Sequence, residues 1–274
     1  MIDTASAERV AARAQRPRIL LATLAHLPAA GLALAGMPLP GLLALVTVHA
    51  VWLWGTLRPN SPLFGPVQAR LEAGRGVWLT IDDGPSDDTP ALLAALAHAG
   101  ALATFFLVGE RAQARPDLVA SIRAAGHDIG NHSHSHPAAR FWLLGPARLR
   151  REVVQAQASL AAIAGVAPVH FRAVVGHANP FLAPVLRALG LRRVGWSARG
   201  YDAVDADVYA VLRRITPGLR PGAIVLLHEG AAHGRCVEIL EGVLAALAAR
   251  GLRAELPLSA LGDDQPVVEG RPAP

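Results

Sequence analysis

The chain has 274 residues, 52% of them hydrophobic, and a formal charge of +5, which allows one large domain plus an appendage and is apolar for a wholly soluble protein. Every basic side chain that is cationic at neutral pH is an arginine. These arginines are scattered without interleaved aromatics, so the pI of about 10.7 is compatible with an anionic membrane face and gives no argument for nucleic acid as a partner. The single cysteine, Cys236, excludes an intramolecular disulfide framework and a multi-cysteine metal site and is read as ordinary packing.

Residues 1–18 read as a polar tail carrying Arg9, Arg13, Arg16 and Arg18 against Asp3 and Glu8. From Ile19 to Leu57 no charged residue occurs. As one helix this stretch would be about 58 Å long, roughly twice a hydrocarbon core of about 30 Å, so it is expected to fold back on itself. Gly36, Pro38, Pro40 and Gly41 mark the break. Two segments result, Ile19 to Gly36 and Leu42 to Leu57, the second carrying Trp52 and Trp54 for the membrane interface. The expectation over 19–57 is a transmembrane or membrane-associated helical hairpin.

Arginines precede the first segment, Arg58, Arg70 and Arg75 follow the second, and the turn between has none. Both ends are therefore expected on the cytoplasmic side of a bacterial inner membrane. Other readings stay open. The segments are short and Pro28 lies inside the first, which suits a re-entrant or interfacial hairpin. A hairpin packed as soluble core is another. Ala33-Leu34-Ala35 resembles a signal-peptidase site, against which stand the long polar start and the second apolar segment. His26 and His49 are read as neutral packing inside the segments, and residues 58–76, rich in Pro and Gly, as a linker or docking loop.

From Gly76 onward, short apolar runs alternate with helical patterns, which predicts βα units and parallel strands. Strands are expected at Val77–Ile81, Ala103–Val108, His127–Gly130, Val169–Ala173, Arg193–Trp196, Ala223–His228 and Leu252–Leu256. Helices are expected between them, several stopped by glycines such as Gly100, Gly126, Gly165, Gly190 and Gly251. The fold class is α/β, a barrel-like domain over 77–260 with one strand fewer than the usual eight, followed by a flexible tail over 261–274.

Asp82 and Asp83 end the first of these strands, and two adjacent carboxylates need compensation by a metal, an arginine or a shared proton. His132 and His136 follow the third strand, Arg172 falls in the fourth, Asp202 lies after the fifth and His228 ends the sixth. In a parallel barrel those strand ends converge on one face. In GNHSHSHP, His132 and His136 stand four apart, suited to one metal on a helical or turn-like backbone. His134 could replace either, but the facing geometry favours the outer pair. Two histidines and a carboxylate leave positions open, as a catalytic zinc site does, whereas a closed structural site would draw on His134. Taken alone, Arg172 reads equally as a member of an ordinary ion pair, and Asp202 as a loop acid.

TIDDGP, GNHSHSHP, FRAVVG, WSARGYD and LLH, in this order and spacing, resemble the five motifs of the polysaccharide deacetylases, carbohydrate esterase family four. The resemblance spans roughly Gly76 to Leu258. It implies a distorted seven-stranded (β/α) barrel and metal-dependent hydrolysis of an N-acetyl group from an amino sugar. It further implies Asp82 as general base, Asp83, His132 and His136 as ligands of zinc or else cobalt, nickel or manganese, and His228 as general acid. Arg172 would orient and charge-balance Asp82, Asp202 would hold His228, and the backbone amide of Val175 would serve the oxyanion.

The third motif lacks the family's proline and tyrosine, and Ala203 replaces its tryptophan, which weakens the case for an extended polymer. Phe171, Trp142, Trp196 and Tyr201 are candidates for sugar stacking or for core. The function expected is deacetylation of an N-acylated amino-sugar glycan or lipid-linked glycan precursor at the membrane. Deformylation of a polyprenyl-phosphate-linked aminosugar, or a catalytically silent carbohydrate-binding relative, are the alternatives.

Overall fold

The computed structural model describes residues 3–71, 76–138 and 140–257. The first helix, α1 (Thr4–Leu24), begins at Asp3, whose carboxylate accepts the Ala5 amide at 3.1 Å. It runs on through Pro17, so the residues expected as a polar tail form its first turns instead. Ala11 and Gln15 on this helix are fully buried. The Gln15 amide donates to the Pro146 and Phe181 carbonyls at 3.1 Å each and accepts from Arg150 at 3.0 Å. A pattern of small apolar and polar residues had no amphipathic signature to betray this docking.

Two further helices follow, α2 (Leu27–Leu34) and α3 (Pro38–Leu57). Pro28 opens α2, and Pro38 and Pro40 sit in the first turn of α3. There the missing N–H is no loss, so these prolines start helices rather than merely interrupting them. The two helices pack closely: a Cβ on Gly41 would stand 2.9 Å from the Ala29 carbonyl oxygen. The imidazoles of His26 and His49 bond the carbonyls one turn back at 2.9 Å and gather around Trp52. Leu20, Leu34, Leu43, Val46 and Trp54 face outward. The stretches Thr4–Leu34 and Pro38–Leu57 are long and apolar enough to cross a membrane, a pattern shared by membrane anchors and signal sequences.

The main domain begins with β1 (Trp78–Gly84), α4 (Thr89–His98) and β2 (Ala103–Leu107), and continues with α5 (Gly109–Ala114), α6 (Pro116–Ala124), β3 (Asp128–Asn131) and α7 (Pro146–Ala164). After these come β4 (His170–Phe171), α8 (Leu182–Ala188), β5 (Arg192–Arg193), β6 (Ala198–Arg199), α9 (Val208–Ile215), β7 (Ile224–His228) and α10 (Cys236–Ala248). All strands are parallel, in the order β5-β4-β3-β2-β1-β7-β6. Seven strands were expected and seven are present among the described residues. The membership differs: Leu252–Leu256 contributes only a bridge from Ala254 to Val77, and the two-residue β6 takes the seventh place.

Central strands β1, β2 and β7 are buried along almost their whole length: one face is apolar and covered by helices, and the inner face mixes Trp78, Phe106 and Ile224 with Thr80, Thr104 and Asp82. Leu79, Ile81, Phe105 and Val225 pack against Leu92, Leu96, Ile122, Leu240 and Val243 of the surrounding helices. Each such side chain contributes about 1.5–3 kcal/mol by burial.

The sheet curls into a half-barrel, with β5 and β6 as its edges. The segment after α3 runs across the open seam: Gln68 bridges Val194 beside β5, and Arg70 bridges Ala223 before β7. Backbone bonds of 2.8–2.9 Å from Gly195 and Leu71 fasten it at each side. The stretch read as a linker or docking loop is thus, over its described residues, a strap on the domain. The tail expected over 261–274 lies outside the described residues.

Candidate active site

Strand β1 delivers both acids, and its bulge separates them. Asp82 stays in register with Phe106 and His228, while Asp83 turns to φ +72°. Their side chains consequently point to different partners. The Asp82 carboxylate is buried and accepts from Arg172 Nη1 at 2.8 Å. Arg172 is itself wholly buried, and its remaining donors reach Thr80 Oγ1 at 2.6 Å and the Gly195 carbonyl at 2.8 Å. Burial lowers the Arg172 pKa, and Asp82 opposes that shift.

Asp83 Oδ1 lies 2.9 Å from His136 Nε2 and 3.3 Å from His132 Nε2. Donor atoms of these three residues fall within 4.8 Å of one another. His132 Nδ1 donates to the Arg172 carbonyl at 2.9 Å, which leaves its Nε2 lone pair facing Asp83. The buried Asp83 oxygen has no well-formed hydrogen bond. Two imidazole nitrogens and an unsatisfied carboxylate oxygen make a donor set that fits a divalent cation. Burial alone would raise the Asp83 pKa; the neighbouring His132 and His136, when they carry protons on Nε2 in place of a bound cation, override it and hold the carboxyl well below its usual range.

The expected outer histidine pair is the one brought together. His134 points away, its ring nitrogen 4.0 Å from Glu110. What shapes this loop is Glu152 on α7, which accepts from the His134 and Ser135 amides at 3.1 and 2.9 Å and from the Ser135 hydroxyl at 2.7 Å. Asn131 adds a bond to the Ser133 amide at 3.0 Å. Neither was singled out from the sequence. A buried acid in an otherwise apolar helical stripe was the available signal.

On the other side of the cluster, His228 ends β7. Its Nδ1 meets Asp202 Oδ1 at 3.1 Å, and its amide donates to Asp202 Oδ2 at 2.7 Å. Burial works against the imidazolium, yet the Asp202 charge and hydrogen bond, with smaller help from Asp82 and Asp83, push its pKa up to about 9. Just beyond, buried Glu229 accepts from Ser86 and Thr89 and orders the turn after the two aspartates.

These groups open into one cavity of about 470 Å³, whose wall also includes Val175, Trp196, Arg199 and Tyr201. Trp196 and Tyr201 thus reach the cavity. Phe171 is core against Phe141, and Trp142 is not among the lining residues. Pro59, two residues beyond α3, also lines it. Its neighbour Asn60 clasps Trp196, donating to its carbonyl at 2.7 Å and accepting from its amide at 3.3 Å.

Asn60, Asp83, Ser133, His136, Val175 and Tyr201 all have positive φ. For Val175, a β-branched residue at φ +49°, the conformation is strained by about 1–3 kcal/mol. That these residues gather in or against one cavity marks the part of the molecule where fold stability yields to a fixed backbone.

Comparison with known proteins agrees with this geometry. The family model for polysaccharide deacetylase matches residues 71–194. A chitooligosaccharide deacetylase of Azorhizobium caulinodans is 35% identical over 156 residues, covering 56% of this chain and 73% of that protein. A peptidoglycan-N-acetylglucosamine deacetylase of Bacillus cereus is 29% identical over 180 residues, 65% of each chain. A family 4 carbohydrate esterase from Streptomyces lividans, solved in complex with acetate, superposes with a TM-score of 0.61 at 32% identity, covering 68% of this chain and 94% of that one. With a curled seven-stranded sheet, the aspartate and histidine cluster at its strand ends and relatives of this similarity, the chain belongs to the polysaccharide deacetylase family, hydrolases of carbon–nitrogen bonds.

Proposed function

We propose that this protein removes the N-acetyl group from an N-acetylated amino sugar, carried on a glycan or on a lipid-linked glycan precursor at the membrane surface. One observation carries the reading: a candidate metal cluster lies between a carboxylate fixed by a buried arginine and a histidine kept cationic by an aspartate. The named substrates of the Azorhizobium and Bacillus relatives are N-acetylglucosamine glycans, which supports the sugar and the acyl group.

Asp83, His132 and His136 are the residues to hold the cation. Zinc is proposed because two imidazoles and one carboxylate with open positions match its catalytic sites. Such an ion, when bound, acidifies a water molecule and polarises the acyl oxygen. Asp82 is the base. Its Oδ2 lies 3.8 Å from His132 Nε2, within reach of a water at the cluster, and Arg172 holds the other oxygen so that the free one faces the reacting centre. The oxyanion draws on the Val175 amide, whose strained backbone suits a fixed donor. His228 then gives its proton to the departing amine, and Asp202 keeps it charged and oriented until that step.

The test combines metal analysis with acyl release from N-acetylglucosamine oligomers and from polyprenyl-linked N-acetylglucosamine. Asp82→Asn and His228→Ala are expected to lose activity by about 10²-fold or more while retaining the metal, and Asp83→Ala to lose the metal. Protein that binds no divalent ion and releases neither acetate nor formate from any of these substrates would end the proposal.

A further inference from the structure

Around the cavity most arginines are committed. Arg172 holds Asp82, the buried Arg193 donates to the Ser61 and Gly176 carbonyls at 3.2 Å each, and Arg214 pairs with Asp205 at 2.7 Å. Arg199 is different. Its guanidinium stacks 3.8 Å from the Tyr201 ring centroid and 5.5 Å from that of Trp196, and it has neither a hydrogen bond nor a carboxylate partner among the described residues. It is half-buried in the wall of a cavity that also presents Asp82, Asp83 and Asp202. A cation in that company that pairs with none of them is available to an anionic ligand.

The surroundings narrow the ligand. His177, also in the wall, engages the Leu57 backbone at the end of α3; burial first, then the charges of Arg199 and Arg193, lower its pKa. Arg199 and Arg193 thus both bring positive charge to this side of the wall. Next to it the cavity rim is apolar and exposed: Val175 is 49%, Tyr201 51% and Val204 82% accessible. Pro59 joins that rim to the apolar helix α3. A cation and an apolar rim in one wall, with a membrane-compatible helix ending two residues before Pro59 of that wall, match a ligand that is anionic at one point and hydrocarbon beyond it.

We propose that Arg199 forms a phosphate subsite, taking the phosphate that links the acylated amino sugar to a polyprenyl chain, with the chain leaving over Val175 and Val204 toward α3. This inference rests on the lipid-linked form of the substrate proposed above. The acyl group would lie at the Asp83 cluster and the phosphate at Arg199, both in the wall of the same cavity, so the sugar is held at two points. Arginine suits the task because its planar fork meets two phosphate oxygens at once while its face stays stacked on Tyr201 and Trp196.

The test is direct binding to the full chain in detergent micelles, independent of acyl release. Farnesyl phosphate, farnesol and N-acetylglucosamine 1-phosphate are titrated against wild type, Arg199→Gln, Arg199→Lys and Arg58→Gln. Wild type is expected to bind farnesyl phosphate about tenfold or more tightly than farnesol, the span of a charge-assisted contact. Arg199→Gln should erase that ratio, Arg199→Lys keep part of it, and Arg58→Gln leave it intact. Equal loss in Arg58→Gln, or no phosphate preference in wild type, overturns the subsite. Binding of N-acetylglucosamine 1-phosphate as tight as that of the lipid phosphate overturns the lipid assignment. A protein that shows the expected binding but hydrolyses no acyl group would instead sink the proposed reaction. Unchanged thermal unfolding of Arg199→Gln separates lost contact from lost fold.

Discussion

His228 carries its charge well above neutrality because Asp202 meets both its ring and its amide. With a pKa of about 9, the alkaline limb of the rate profile is expected to fall near that value. Asp202→Asn should move the limb down to about 6.5, the ordinary histidine value, or below it, because burial then works against the imidazolium without its main counter-charge, and a pH series of kcat/KM on one substrate reads the shift. The same pair contributes to stability. Its folded-state pKa is raised, so the contribution is complete below about 6.5 and is lost as pH rises through about 9.

Arg172 poses the opposite problem, a fully buried cation that is tolerable only beside its partner. Arg172→Met should leave Asp82 buried with its charge uncompensated and lower stability by about 3 kcal/mol or more, measurable as a shift in urea midpoint. Most residues of this site were legible in the sequence because polar groups at the ends of apolar runs stand out. Arg199 and Asn60 were not: Arg199 sits mid-motif in WSARGYD and shows its stacking on Trp196 and Tyr201 only once that segment is folded, and Asn60 lies in a Pro- and Gly-rich stretch and acquires its place through a contact with distant Trp196.

Among the elements, the turn Val174–Gly176 shows how backbone and chemistry separate. If the Val175 amide is the working group, Val175→Gly keeps it and relieves the positive φ. Activity should stay within a few-fold of wild type, and stability should change by less than about 1 kcal/mol because the relaxed strain offsets glycine's added unfolded-state entropy. A collapse in kcat would instead mean that the valine side chain itself matters. Gly84 is constrained from outside: a Cβ there would run into the buried Glu229 carboxylate.

The long helices and the three central strands could be anticipated from periodicity and terminal glycines. The pairs β4, β5 and β6 are too short for a pattern to register, and β6 is held mainly by its ladder with β7. Leu252–Leu256 has the composition of a strand, but its backbone meets the sheet at Val77, ahead of β1, and at Leu102, ahead of β2, without forming a ladder.

At the scale of the whole molecule, the start of α1 and the strap after α3 both rest on the same domain. If the hairpin crosses a bilayer, its two ends must therefore emerge on one side, in agreement with the arginines that flank it. Reporter fusions at either terminus should give the same cytoplasmic signal, and a periplasmic signal at the C-terminus would reverse the proposed orientation.

The clasp between Asn60 and Trp196 has a practical consequence. The hairpin is not a detachable handle, because the chain leaving it becomes a wall of the cavity within two residues. A soluble fragment beginning at residue 76 would lose that wall, the strap across the seam and the carbonyl that receives Arg193. Such a fragment is expected to unfold at lower temperature than the full chain in detergent and to turn over substrate with a raised KM. Solubilising this enzyme by trimming it would reshape the very groove a chemist hoped to study.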